Sequence, residues 1–296
     1  MTGPRWVEET LHEHWRARLK ADAVLHEGRS AHQHIVVLEN GDFGRMLLLD
    51  GVVQLSTRDE FIYHETMAHT ALLSLEAPER VLIVGGGDGG VLREVLKHPS
   101  VGRVDVCEID RSVIDLSLRF FPGVSQGAFE DRRVRVTIAD GTRFVAGSTE
   151  TYDAVICDTT EPVGVAEVLF SESFFADCRR RLPRPGVFVT QNGLPFMDPQ
   201  HLARSGRFLR ASFADSACFL CGQPTYFGGP FALAWGATSK RPRKTSRRVL
   251  EERMAKRKIA ARYYNPEAHL GAFMLPTYVR RLFEEGVDTI EGSGPF

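Results

Sequence analysis

No stretch of this chain approaches the roughly 20 apolar residues that span a bilayer as a helix, so no membrane partner is expected. An excess of one charge is lacking too. The 37 Lys and Arg stand against 38 Asp and Glu, for a formal net charge of −1 at pH 7. Such a balance gives no overall bias toward nucleic acid or an anionic lipid surface. The N-terminal MTGPRWVEETLHEHW is charged and has no apolar signal core, so secretion is not expected. Cysteine is sparse, at positions 107, 157, 178, 218 and 221. Cys107 and Cys157 fall in apolar runs, where a thiol acts as a small hydrophobe. Cys218 and Cys221 form a lone CxxC without the second pair of ligands that a structural zinc site needs. No metal is therefore expected, and a reducing, cytoplasmic location fits best. Internal repeats and low-complexity tracts are absent as well.

What remains is an ordinary globular composition over 296 residues, 43% hydrophobic and 25% charged, enough for one large core or two modest domains. Residues 32–56 read as β structure. His34 to Leu38 and Arg45 to Leu55 are rich in Val, Ile and Leu and are broken by Asn40-Gly41 and Asp50-Gly51. Asx-Gly pairs between apolar runs signal tight hairpins. A small antiparallel N-terminal β domain is expected over 1–58, and a second domain over 59–296. The latter opens with an amphipathic helix, Phe61 to Leu75.

From residue 80 short apolar runs alternate with helical stretches. Strands are expected at Arg80–Val84, Arg103–Cys107, Val134–Ile138, Asp153–Cys157, Val187–Thr190, Ala217–Cys221 and Ala232–Gly236. Gly90–Lys97, Arg111–Phe120 and Glu172–Leu182 read as helices between them. This alternation predicts an α/β fold, a mainly parallel sheet with helices on both faces. Residues 240–258 carry ten basic and two acidic side chains. Without interleaved aromatics for base stacking, the run reads as a solvated surface helix rather than a polyanion-binding arm.

The chemistry gathers at strand ends. Gly85 through Gly87, Asp88, Gly89 and Gly90 lie between the first strand and a helix, where glycines allow a tight turn and close backbone approach to a ligand. Glu108 ends the next strand, in the place where an acid accepts hydrogen bonds from ribose hydroxyls. Asp140 and Gly141 end the third and suit an adenine amino group. Asp88 occupies the spot where a pyrophosphate would otherwise rest, and like charges repel. The pocket therefore fits an adenosine derivative without phosphates and with a cationic tail, such as a sulfonium nucleoside. The fourth strand stops at Asp158 and Glu161, two acids three residues apart, which suit a cation, an amine or a proton transfer. A plain capped turn is the alternative reading of that loop.

These residues carry a resemblance. LLLDGVVQLSTRDEFIYHE (47–65), VLIVGGGDGG (81–90), VCEID (106–110), DTTEPVG (158–164), QPTYFGG (223–229) and RYYNPEAHLGAFMLP (262–276) are similar, in order, to the spermidine synthases, the polyamine aminopropyltransferases. The resemblance implies a small N-terminal β domain and a Rossmann-like domain of methyltransferase type. It implies transfer of the aminopropyl group of decarboxylated S-adenosylmethionine, a co-substrate rather than a resident cofactor, to putrescine. Spermidine and methylthioadenosine are the products. Gln33, Gly85, Gly87, Glu108, Asp140, Gly141 and Val165 would surround the nucleoside. Asp88 would hold the ammonium of its tail, and Tyr63 and His64 would line the acceptor side. Asp158 would orient the attacking amine and take its proton, and Tyr226 would close the amine channel. A homodimer or homotetramer is implied.

The chain departs from the family pattern Asp-(Ser/Cys/Thr)-(Ser/Thr)-Asp-Pro-(Ile/Val)-Gly-Pro at two positions, Glu161 and Val165. Glu161 keeps the charge one methylene further out, and Val165 restores a backbone N–H. The acceptor therefore stays open among putrescine, 1,3-diaminopropane, cadaverine and agmatine. Methyl transfer from the intact cofactor and a non-catalytic binding relative are the other readings. Against methyl transfer, Asp88 would repel the α-carboxylate that only the intact cofactor carries.

Overall fold

Apolar runs at Ile35–Leu38 and Met46–Leu49 are separated by polar turns, and those turns fix the register. In the computed structural model, which describes residues 5–162 and 164–286, β1 (Arg5–Glu8) pairs antiparallel with β2 (Arg18–Ala21). A four-stranded antiparallel meander follows, β3 (Ala23–Arg29), β4 (His34–Asn40), β5 (Gly44–Leu49) and β6 (Val52–Ser56). The β5–β6 loop is Asp50-Gly51, with φ of 47° and 81°. Two positive φ values are what a tight primed hairpin turn demands, and Asp and Gly tolerate them best. At the other turn the Asn40 side-chain oxygen accepts the N–H groups of Asp42 and Phe43, each at 2.9 Å. The strands β1 to β3 lie outside the run read as β from sequence; β1 and β2 are four residues long with only two apolar residues each.

The remainder is built around one seven-stranded sheet. In chain order come α1 (Glu60–Leu73), β7 (Arg80–Gly85), α2 (Gly90–Leu96), β8 (Arg103–Glu108), α3 (Arg111–Phe120), α4 (Pro122–Ser125), β9 (Val134–Ile138), α5 (Gly141–Gly147), β10 (Ala154–Asp158), α6 (Glu172–Arg180) and β11 (Val187–Gln191). Then follow α7 (Pro199–Ser212), β12 (Asp215–Cys221), β13 (Phe231–Ala237), α8 (Arg247–Arg257), α9 (Pro266–Ala272) and α10 (Thr277–Glu285). The sheet order is β12-β13-β11-β10-β7-β8-β9, parallel from β11 to β9, with β13 antiparallel to both its neighbours. All seven expected strands are present, and the fold is the Rossmann-like one expected. Successive residues of β7 serve opposite faces: Val81 and Ile83 pack with Met67 and Trp235, whereas Leu82 and Val84 pack with Phe175 and Phe188. Burial on both faces is why β7, β10, β11 and β13 read as nearly continuous apolar runs, whereas the edge strand β9 is mostly exposed.

From β7 the chain moves one way to β8 and β9, then returns to place β10 on β7's other side. That reversal opens a crevice at the strand ends, and there Asp158 sits opposite Gly85 in the ladder. The N-terminal sheet covers the crevice, because Ile35, Val37 and Leu47 pack on Val113, Phe121 and Val124 around α3 and α4.

The helix α1 corrects the amphipathic reading. Twelve of its fourteen residues are buried, including Glu60, His64, Glu65 and His69. It lies under β10 and β11 and against α2 and α8, so every face needs an internal partner. The Glu65 carboxylate takes the N–H groups of Arg262, Tyr263 and Tyr264. Arg253 and Arg257 of α8 donate to the carbonyls of Leu73 and Leu72, closing the C-terminus of α1 where cations are favoured. The basic run is thus a helix, as expected, and part of its charge is a cap. Its Arg247 and Arg248 pair with Glu251 and Glu252 one turn on. All five cysteines are buried free thiols, and Cys218 and Cys221 are set apart along β12. Among the described residues, no helix is long and apolar enough to cross a membrane.

Candidate active site

One pocket at the crevice is lined by Gln33, Tyr63, His64, Gly85, Gly87, Asp88, Glu108, Asp140, Gly141, Asp158, Glu161 and Tyr226. Every site residue expected from sequence is therefore brought together except Val165, whose side chain lies outside the described residues.

The half expected to take a nucleoside comes mostly from strand ends in one stretch of chain, residues 84–141. Gly85 has φ 81°, and a Cβ there would stand 2.1 Å from the Asp158 carbonyl oxygen. The Gly86 N–H donates to that same oxygen at 2.7 Å, tying the glycine loop to the end of β10. A Cβ on Gly87 would meet Val113 at 2.9 Å and Glu108 Oε2 at 3.0 Å, so only glycine leaves the Glu108 carboxylate accessible beside the loop. The Asp110 N–H donates to Glu108 Oε1 at 2.9 Å, and burial pushes the Glu108 carboxyl up to about 7. Gln33 reaches in from the N-terminal sheet, anchored on Asp110 Oδ2 at 3.0 Å. Asp140 caps α5 through Oδ1, which accepts from the Thr142 and Arg143 N–H groups; Oδ2 takes no part in those bonds.

The half expected to take an amine is assembled from separate segments. The Tyr63 hydroxyl donates to Asp158 Oδ1 at 2.9 Å, while Asp158 Oδ2 is buried without a hydrogen-bond partner. His64 Nε2 lies 3.3 Å from Asp88 Oδ2, and the Gly90 N–H donates to Asp88 Oδ1 at 2.6 Å. Donor atoms of His64, Asp88 and Asp158 lie within 4.8 Å of one another. Both His64 nitrogens face carboxylates, Asp88 and Glu60, so the ring is occupied as a donor rather than free to ligate a metal. Gln54 Nε2 donates to Glu161 Oε2 at 3.3 Å, and the Tyr226 hydroxyl to the Gln54 carbonyl at 2.7 Å.

These surroundings set unequal proton affinities. Burial, reinforced by the Asp88 charge, pushes the Asp158 carboxyl up to about 7, against the opposing pull of His64 and Tyr63. Burial alone would raise Asp88 too, but the His64 cation and the Gly90 N–H outweigh it and hold this carboxyl below its usual range. Two carboxylates in one pocket are thereby separated, one ionised and one poised to take a proton, the pattern that marks acid–base assignments.

Beyond Glu161, Tyr226 and Phe231 a second cavity continues toward the N-terminal segment, lined by Glu9, Trp15, Glu167, Asp198 and Phe227 among others. Glu9 is buried, and burial, with the nearby Glu161 charge adding, raises its carboxyl to about 7 although the Val53 N–H opposes the shift. Sequence reasoning missed Glu9, Gln54 and Gln191, whose Nε2 holds the Thr160 carbonyl at 2.8 Å. Gln191 ends an apolar strand and Gln54 lies within the 47–65 motif, so both carried a signal. Glu9 carried none, standing in a polar stretch that only the fold brings to the pocket.

Known proteins extend the likeness to the whole chain. Residues 60–245 match the spermine/spermidine synthase domain, and residues 5–57 match the spermidine synthase tetramerisation domain. A polyamine aminopropyltransferase of Ruegeria sp. (strain TM1040) is 44% identical over 283 residues, covering 96% of this chain and 100% of that one. Polyamine aminopropyltransferase 1 of Pseudomonas aeruginosa is 47% identical over 272 residues, covering 92% of this chain and 95% of the relative. Among solved structures, a spermidine synthase in complex with the transition-state analogue AdoDATO superposes with TM-score 0.88 at 33% identity, over 95% of this chain and 96% of that one. The spermidine synthase from Thermotoga maritima gives 0.86 at 32% identity with the same coverage. With the glycine loop, Glu108 and the carboxylate pair in one crevice, the chain belongs to the spermine/spermidine synthase family, the polyamine aminopropyltransferases.

Proposed function

We propose that this protein transfers the aminopropyl group of decarboxylated S-adenosylmethionine to a diamine, putrescine foremost, giving spermidine and methylthioadenosine. The observation that carries the reading is the buried, unpartnered Oδ2 of Asp158, whose carboxyl is raised to about 7, beside a compensated Asp88. An alkylammonium near pKa 10.4 is no nucleophile until it loses a proton. Asp158 Oδ2 is the acceptor for that proton, and Tyr63 fixes the carboxylate through Oδ1. The neutral nitrogen then attacks the carbon beside sulfur. A C–N bond forms, the C–S bond breaks, and its electron pair neutralises the sulfonium. The sulfonium leaves readily, so in-line placement supplies most of the remaining acceleration.

Glu108, Gln33 and Asp140 would take the ribose and adenine, with Gly85, Gly87 and Gly141 keeping side chains out of the way and Val165 beside them. Asp88 would face the cationic tail. The co-substrate brings the sulfonium, and no resident cofactor or metal is invoked. At the far end, Glu161 and the buried Glu9 lie where the second ammonium of a diamine would point, with Tyr226 at the junction of the two cavities. The β segment ending near residue 58 would join subunits of a homodimer or homotetramer, leaving the catalytic domain beyond it, in a cytoplasmic enzyme whose cysteines stay reduced.

The test is direct. Purified protein with decarboxylated S-adenosylmethionine and each of putrescine, 1,3-diaminopropane, cadaverine and agmatine is assayed for methylthioadenosine. Highest kcat/KM with putrescine is expected. A better amine would revise the acceptor, a methylated amine from the intact cofactor would replace the reaction, and no product with any amine would leave only a binding protein.

A further inference from the structure

His64 is buried, and its ring is held from every side. Nδ1 lies 2.5 Å from Glu60 Oε2, one turn back on α1, and Nε2 lies 3.3 Å from Asp88 Oδ2 in the glycine loop. The start of α2 presses so close that a Cβ on Gly90 would come within 2.1 Å of the ring. Tyr63 packs edge-on with ring centroids 5.6 Å apart, and Asp158 faces the ring from the end of β10. Each nitrogen thus meets a carboxylate acceptor, which requires a hydrogen on both, the imidazolium form.

Glu60 is held in turn. Arg93 of α2 forks onto it, Nη1 to Oε1 at 3.1 Å and Nη2 to Oε2 at 2.9 Å, and also donates to the Val124 carbonyl at 2.6 Å. Behind it, Arg93 Nε donates to Glu94 Oε1 at 2.7 Å, and Glu94 is closed by Lys97 at 2.6 Å and His69 at 3.0 Å. The line Asp88–His64–Glu60–Arg93–Glu94 alternates in sign from the pocket into the core. Only Asp88 and His64 of these five line the pocket.

We infer that Glu60 and Arg93 are positioning residues for the transfer reaction: Arg93 locks the Glu60 carboxylate, Glu60 keeps His64 doubly protonated against Asp88, and Asp88 is thereby a compensated charge beside Asp158. The inference rests on the aminopropyl-transfer reading. Removing the Glu60 charge withdraws the anion that favours the imidazolium. A neutral His64 leaves Asp88 uncompensated, and its repulsion raises the Asp158 carboxyl further. Glu60 stands behind the ring, so loss of the nearer cation outweighs loss of its own charge. The proton affinities agree, since burial opposes the His64 cation but Asp88 and Glu60 overcome it and hold the group well above the usual histidine range.

The experiment combines pH–rate profiles with ¹⁵N NMR of labelled histidine in the ligand-free protein. Wild-type His64 should keep the imidazolium signature at pH values where a free histidine has lost it. In Glu60→Gln that signature should be lost at lower pH, and the acid limb of kcat/KM should move up by about one unit, the size expected for a charge within 4–6 Å. Arg93→Met should move the limb the same way, and Arg93→Lys should restore it. A uniform loss of activity with an unmoved limb, or a neutral His64 in the wild type at pH 7, would overturn the inference. Should Glu60→Gln not fold, the two Arg93 variants and the wild-type resonance decide. A wild type without turnover would defeat the transfer reading instead, while the resonance, which needs no turnover, still judges the clamp.

Discussion

The two halves of the pocket are built in opposite ways. The half proposed for the nucleoside comes mostly from residues 84–141, where each strand of a βαβ series ends in its own functional group: Gly85 to Gly87, Glu108, Asp140. The amine half takes Gln54 from the N-terminal meander, Tyr63 and His64 from α1, Asp158 and Glu161 from the end of β10, and Tyr226 from the loop between β12 and β13. A local half is set by register and turn chemistry, whereas a dispersed half depends on how separate elements dock. The lesson concerns divergence. The glycine loop tolerates little, because its missing side chains leave no room for replacements. The dispersed half can be retuned one residue at a time, and Glu161, where the family pattern has Asp, lies there.

Substitutions should sort along that division. Asp158→Asn should have the largest effect, lowering kcat by roughly 10²–10⁴, the usual contribution of a positioned base, while decarboxylated cofactor still binds. Isothermal titration together with the methylthioadenosine assay checks both parts, and an unchanged kcat would remove Asp158 from the proton path. Gly85→Ala should come next. The methyl would collide with the Asp158 carbonyl at a positive φ, costing about 1–3 kcal/mol or more. A fall in thermal midpoint measures it, and a wild-type midpoint would show that the loop yields.

The pH profile sharpens the contrast further. Asp158 accepts a proton only as a carboxylate and its affinity lies at about 7, so kcat/KM should rise through pH 7 and fall below it. A limb near pH 4 would mean that the charged neighbours do not act as described. Glu108→Gln should raise the KM for the nucleoside about tenfold, in line with the loss of charge-assisted hydrogen bonds, without reordering the amines. A reordering would break the division into halves. Glu161→Asp should act least on rate, changing the ratio of kcat/KM between putrescine and cadaverine only a few-fold. Parallel progress curves for the two amines test it, and an unchanged ratio would take Glu161 out of acceptor choice.

Legibility follows the same line. The strands β7, β10 and β11 were readable because two-sided burial makes each an apolar run, β8 and β9 because Val recurs along them, and their last residues could be named because crevices open at strand ends. The strands β1 and β2 were not, since four residues with two apolar ones are too short for an alternation to stand out. Helix α1 was found but misjudged: its polar residues suggested a wet face, yet Glu65 and Glu60 are buried against partners far along the chain. Glu9 gave no sign at all.

Local sequence was enough for the parallel sheet, the glycine loop, the acid that ends β8 and the carboxylate that ends β10, because turn geometry and strand periodicity are local properties. It also named Asp158 and Asp88. The tertiary structure alone decided that Asp88 stays ionised while Asp158 waits for a proton, because proton affinity depends on burial and on charges across space. The charges responsible belong to α1, α2 and the end of β10, segments far apart in the chain until the fold packs them within a few ångströms.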